Sequence, residues 1–234
     1  MKCAIMQPAY LPWTGYFNLI SSVDTFVFLD NVQLQKNYWH TRNRILVNQN
    51  PHWISVPVKR EKLGQSIAET KLDDSQRWRS KHVKLLQQVY SKHPFSEDIL
   101  ELCEFLQKND SIYLAELNIQ LIKWFLFKMK ISTTVVLASD LNIEGKRTER
   151  IINILKELKA SCYLSPKGAK EYLEEDGFLD QKFIKLEFQN FESLQYSQYK
   201  KNEFESYLSI VDMLANLGWP ATKKYIYQLE EYTK

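Results

Sequence analysis

Apolar positions near the start of the chain fall in two short runs, Cys3 to Met6 and Thr25 to Leu29, separated by a helix-like stretch. The first run leads into Gln7-Pro8-Ala9-Tyr10-Leu11-Pro12-Trp13-Thr14-Gly15-Tyr16-Phe17, and the second ends at Asp30-Asn31-Val32-Gln33. If the two runs are parallel neighbouring strands, both polar segments leave the sheet at one edge. Open α/β sheets bind ligands at the carboxyl ends of their strands, so this edge is the candidate site. Two further runs, Ile45 to Val47 and Trp53 to Val58, flank Asn48-Gln49-Asn50-Pro51, a turn signal that predicts a hairpin. Pro57 places its strand at an edge or a strand end.

The middle of the chain changes period. Trp78, His82, Leu85, Leu86 and Val89 recur at helical spacing, as do Ile99, Leu102, Cys103 and Leu106. Asp110-Ser111 is placed to cap a further helix running to about Lys130. Alternation then returns. Strands are predicted at Thr133 to Leu137, Cys162 to Leu164 and Ile184 to Phe188, and helices at Thr148 to Leu158 and from Gly168 to Leu173. A last helix, Tyr207 to Leu217, is expected to close on Gly218. The pattern predicts an α/β fold with a mostly parallel, Rossmann-like sheet. The chain reads as a single domain, 1–234, with an inserted helical subdomain at about 73–130.

Composition narrows the class without naming a reaction. With 44% apolar residues, 25% charged residues and a net charge of +3 over 234 residues, the chain lacks the strong field of a non-specific nucleic-acid binder. Cys3, Cys103 and Cys162 form no C-x-x-C pair and read as buried free thiols of a reducing compartment. The opening apolar run is too brief for a signal segment, and Lys123 and Lys128 interrupt the most apolar later stretch. The expectation is a cytoplasmic protein without stable membrane insertion. His40, His52, His82 and His93 show no metal-ligand spacing, so no metal site is expected.

Three segments carry candidate chemistry. In the first loop Gln7 offers an amide at a strand end, and Tyr10, Trp13 and Tyr16 offer flat faces with polar tips. Pro8 and Pro12 stiffen the backbone and Gly15 allows close approach. The second segment, Lys36-Asn37-Tyr38-Trp39-His40-Thr41-Arg42-Asn43-Arg44, mixes cations, aromatics and an imidazole, which suits a nucleotide diphosphate better than bulk nucleic acid. The third, Ser165-Pro166-Lys167-Gly168-Ala169-Lys170, opens a helix and offers backbone N–H groups with a lysine to an anion. His82 lies one helical turn from Trp78 and is a candidate general base.

The combination of Gln7-Pro8-x-Tyr10-Leu11-Pro12-Trp13-x-Gly15-Tyr16-Phe17, Asp30-x-Val32-Gln33 and Arg42-Asn43-Arg44 resembles the WbqC-like family. Val56-Pro57-Val58, Tyr163-Leu164-Ser165 with Gly168-Ala169, and Leu208-Ser209-Ile210-x-Asp212 extend the resemblance over nearly the whole chain. It departs from the pattern at Met6, where many members have histidine, and at Ala9 and Asn31 in place of asparagine and aspartate. The resemblance implies a role in surface-polysaccharide or O-antigen synthesis. The implied reaction is transfer of a glycyl, aminoacyl or related acyl group to the amine of a nucleotide-linked deoxyamino sugar.

Under that reading Trp13, Trp39, Arg42, Arg44 and Lys167 are candidates to hold the nucleotide, with Tyr10, Tyr16, Gln33, Lys36, His40, Ser165 and Gly168 around it. Asp30 or His82 is the candidate base, and Gln7, Asn43 or a backbone N–H the oxyanion donor. No tightly bound cofactor is expected. The acyl donor would arrive already activated, for example as a carrier-protein thioester, because no ATP-activating motif is evident. Two alternatives stay open. Trp13-x-Gly15-Tyr16 is laid out like the H-x-G-H turn of HIGH-type nucleotidyltransferases, with aromatics replacing both histidines. The other is a non-catalytic binding module for nucleotide sugars or nucleic acid.

Overall fold

In a computed structural model, which describes residues 1–228, β1 (Lys2–Met6) and β2 (Thr25–Phe28) are parallel neighbours. Their register runs from Cys3 opposite Thr25 to Met6 opposite Phe28. Helix α1 (Thr14–Ser21) makes the crossover between them. Three more parallel strands complete the sheet: β5 (Thr134–Leu137), β6 (Cys162–Ser165) and β7 (Lys185–Phe188). The strand order is β5-β2-β1-β6-β7. The chain thus builds outward from β1 in one direction and then returns to build outward in the other. Such a reversal leaves a crevice beside the carboxyl end of the central strand.

The apolar runs of β1 and β2 are continuous because both faces of this sheet are covered. Side chains alternate between two cores. Ala4, Phe26 and Phe28 pack with α1 and the helical middle, whereas Cys3, Ile5 and Val27 pack against α5 (Arg147–Glu157) and α6 (Lys170–Glu175). The helical middle comprises α2 (Trp78–Tyr90), α3 (Ser96–Lys108) and α4 (Leu114–Lys128). Its apolar stripes, Leu86, Leu102, Leu106 and Leu121 among them, belong to the same cluster as one face of the sheet. Cys3 and Cys103 are buried free thiols, while Cys162 is only half-buried. Among the described residues no helix is long and apolar enough to cross a membrane.

Several element boundaries differ from the sequence expectation, each for a local reason. The hairpin strands β3 (Arg42–Val47) and β4 (Asn50–Ser55) are antiparallel and joined by Asn48 and Gln49 alone. Both loop residues take positive φ, 49° and 65°, as a tight two-residue turn demands. Pro51 therefore lies inside β4, tolerated because the sheet has only two strands, and Pro57 lies beyond the strand end. Asp110-Ser111 does not cap α4. Asn109 Oδ1 accepts from the Ser111 N–H instead, and the helix starts at Leu114. A 3₁₀ turn at Lys167–Ala169 precedes α6. The final helix, α7 (Ile210–Ile226), is capped by Ser209, whose hydroxyl accepts from the Val211 N–H. Gly218 breaks α7 at φ 70° as expected of a helix stop, but the helix resumes through Pro220.

Candidate functional site

The segment after β1 is fixed by three distant parts of the chain. Asn43 Nδ2 donates to the carbonyls of Tyr10 and Leu11 at 3.2 and 2.8 Å. Asn118 Nδ2, from α4, donates to the carbonyls of Pro8 and His40 at 3.4 and 2.8 Å. The Ile210 N–H donates to the Pro12 carbonyl at 2.9 Å. These bonds hold Leu11 at φ 43°, a left-handed conformation that costs a non-glycine residue on the order of 1 kcal/mol. The Trp13 indole then folds back over Gly15, where an added Cβ would lie 2.2 Å from the ring. The W-x-G spacing is therefore a packing requirement.

Against this segment the loop before β3 closes a cleft of about 380 Å³ beside the carboxyl end of β1. Gln7, Trp13 and Tyr16 line one side, and Trp39, His40 and Arg44 line another. Tyr207 closes the mouth, its ring 5.1 Å from that of Trp13. Arg44 is steered by Glu205 Oε1 at 3.5 Å and by the Ser206 carbonyl at 3.2 Å. The Tyr16 hydroxyl donates to the Gln7 carbonyl at 3.0 Å, so Tyr16 presents its ring to the cleft and not its oxygen. Among the described residues no hydrogen bond engages the Gln7 side-chain amide. Asn43 reaches the cleft wall, but both its amide and its carbonyl serve the backbone, the latter accepting from the Arg44 N–H at 2.8 Å. His40 is 1% exposed, and neither ring nitrogen has a hydrogen-bond partner. Burial pulls its pKa down to about 4, so the imidazole is neutral at physiological pH.

Other predicted site residues lie elsewhere. Tyr10 is fully buried and does not line the cleft: its hydroxyl donates to His82 Nδ1 at 2.9 Å and its ring meets Trp78 edge-on. His82 Nε2–H donates to the Ser55 carbonyl at 3.1 Å, which fixes the tautomer and occupies both nitrogens. Burial lowers the His82 pKa to about 4. Asp30 is buried at the end of β2, where its carboxylate accepts from the Ser139 N–H and hydroxyl at 3.0 and 2.7 Å. Neither Asp30 nor His82 lines the cleft, so the base role anticipated for them has no support in their surroundings.

Gln33 pairs through its backbone with Ser66 and borders a separate surface hollow beside Arg60 and Gly64. Lys36 is exposed. The Arg42 guanidinium stacks 4.1 Å over Trp53, which in turn lies 5.4 Å from Trp39 just outside the cleft. Ser165 is buried with its hydroxyl on the Pro166 carbonyl, Lys167 Nζ donates to Asn190 Oδ1 at 3.1 Å, and Gly168 stands in open space. The cleft walls are built without these three.

Sequence reasoning missed Asn118, Trp53 and Tyr207. Asn118 had a signal: one amide on the apolar face of a helix, between Leu114 and Ile122, fully buried. Trp53 and Tyr207 had none, since only the hairpin register brings Trp53 beside the cleft and only the α7 cap brings Tyr207 into its wall.

The model of the WbqC-like protein family matches residues 7–224 of this chain. The chain is also 33% identical over 221 residues to the "Uncharacterized protein Rv1507c" of Mycobacterium tuberculosis (strain ATCC 25618 / H37Rv), a match covering 93% of this chain and 94% of that protein. No solved structure matches.

Proposed function

This chain belongs to the WbqC-like protein family, and we propose that its cleft is where an acyl group passes to the amine of a nucleotide-linked deoxyamino sugar. The observation that carries the reading is the make-up of the cleft. Flat aromatic walls (Trp13, Tyr16, Trp39, Tyr207) meet one guanidinium, Arg44, and one uncommitted amide, Gln7, at the carboxyl end of a parallel sheet. Aromatic faces suit a sugar ring or base, and arginine suits a diphosphate. Water-poor walls also disfavour an ammonium, so the amine enters in its nucleophilic, uncharged form.

The donor is a preformed thioester, such as an aminoacyl or glycyl group on a carrier protein. The amine nitrogen attacks the acyl carbon, the C–N bond forms, the C–S bond breaks, and the thiol leaves with the proton that the amine sheds. Negative charge gathers on the acyl oxygen in the transition state. The Gln7 amide is the available donor for it, in place of Asn43, whose N–H groups are bonded to Tyr10 and Leu11.

Purified protein given a uridine- or thymidine-diphosphate amino sugar and a glycyl-carrier thioester is expected to yield the glycyl amide by mass spectrometry. Folded protein that forms no amide with any of several acyl carriers and amino-sugar nucleotides overturns the reading. ATP–pyrophosphate exchange measured in the same samples would point to adenylyl transfer instead.

A further inference from the structure

Two histidines of this chain, His40 and His82, are buried and differ in what their nitrogens meet. His82 has both nitrogens bonded and is part of the framework. His40 has neither bonded, although it is 1% exposed and lines the cleft. A buried polar group left without a partner is destabilising, and native proteins retain few of them. A phenylalanine would fill the same space without that penalty.

The ring is nonetheless held firmly. The His40 carbonyl accepts from Asn118 Nδ2 at 2.8 Å, and the neighbouring Trp39 carbonyl accepts from the Tyr10 N–H at 2.9 Å. The Tyr38 ring meets the imidazole edge-on at 4.9 Å. The backbone is clamped on both sides while both nitrogens stay buried and unbonded at the cleft wall, so a turn of the ring would bring one of them to a group bound in the cleft. The other ionisable side chains on the cleft walls are Arg44, Tyr16, Tyr38 and Tyr207. None of them is a carboxylate that would hold the imidazole protonated.

We propose that His40 is the proton acceptor for amide formation in this cleft, which rests on the acyl-transfer reading above. Its neutral nitrogen takes the proton released as the amine nitrogen bonds to the acyl carbon. It then passes that proton to the sulfur as the C–S bond breaks, so the imidazole ends the cycle neutral. Burial keeps the imidazole in its neutral, proton-accepting form and at the same time weakens it as a base. A diphosphate held by Arg44 on the same cleft wall would raise its proton affinity when the proton arrives. Asn118 acts through His40 as a positioning residue.

The test compares wild type with His40→Gln, which keeps a polar side chain of similar reach, and with His40→Ala. Binding of a uridine-diphosphate amino sugar is measured by calorimetry without any acyl donor, and kcat is measured with the glycyl-carrier thioester. The expectation for His40→Gln is a kcat lower by about 10²- to 10⁴-fold with a dissociation constant changed by less than about 3-fold. For His40→Ala, added imidazole is expected to restore part of kcat. Wild type that forms amide while folded His40→Gln forms it at the same kcat overturns the assignment and leaves acyl transfer standing. Loss of binding in His40→Gln in step with kcat also overturns it, making His40 a ligand contact only. Wild type that forms no amide removes acyl transfer itself, and the assignment with it.

Discussion

At Gly15 the side chain is excluded by its own neighbour. The Trp13 ring lies where a methyl would go, and the same ring forms the cleft wall against Tyr207 and Phe191. Gly15→Ala is therefore expected to push the indole out and to destabilise the protein by about 1–3 kcal/mol. In the double variant Trp13→Ala/Gly15→Ala the glycine substitution should cost much less, a non-additivity visible in thermal melts as a cycle. Equal cost in both backgrounds would show that the ring does not set the glycine. At this scale the sequence was informative about composition and poor about direction. Tyr10 and Tyr16 look alike in the chain, yet one bonds His82, 72 residues away, and the other, from α1, bonds Gln7 only nine residues before it. Only the long-range partner decides which is framework and which is wall. The same holds for the histidines, since nothing in the local pattern separates the saturated His82 from the unbonded His40.

Elements were more legible than residues because their signals are periodic. The parallel pair β1 and β2 followed from two apolar runs with a helix between them, and α2 and α3 from the spacing of their apolar positions. What failed were ends and turns, where one side chain competes with another for a backbone group. The hairpin illustrates this. The turn Asn48-Gln49 places a glutamine at φ 65°, a conformation that suits glycine better. Gln49→Gly is expected to stabilise the protein by about 0.5–1 kcal/mol, read as a raised denaturation midpoint at unchanged slope. A lowered midpoint would mean that the turn is not the two-residue form. Because β3 carries Asn43 and Arg44 to the cleft, this variant should leave ligand affinity unaltered.

For the whole molecule, three buried groups pull stability against pH in opposing directions. Burial holds His40 and His82 at about 4, below the usual histidine value of 6.5. Between those values the unfolded chain binds more protons, so their contribution is complete above pH 6.5 and is lost on acidification, by about 3 kcal/mol each. Asp212 works the other way. Desolvation raises it to about 6 despite hydrogen bonds from Tyr196 and Tyr90. The folded state therefore retains a proton that the unfolded chain releases, and stability falls as pH rises from about 4 to 6, by about 3 kcal/mol. Asp212→Asn is expected to match wild type near pH 4 and to exceed it by up to about 3 kcal/mol at pH 7, measured by urea unfolding across that range. A variant less stable than wild type at pH 7 would contradict the sign. Charge counting alone gave no hint of this, because burial and not net charge creates the effect. The strand order, by contrast, was only half readable: alternation implied parallel units, but not that β6 returns to the far side of β1 and opens the crevice there.

Asn118 joins Pro8 and His40, which lie 110 and 78 residues before it. During synthesis the two loops that form the cleft leave the ribosome long before this amide does. Local hairpins and single helices can form early, but a junction of such sequence separation must wait for the chain to close a long loop. A growing chain truncated before α4 would carry both loops and lack the amide that joins them. The mutual position of the two loops is therefore expected to be set only once Asn118 has emerged and α4 has packed against them.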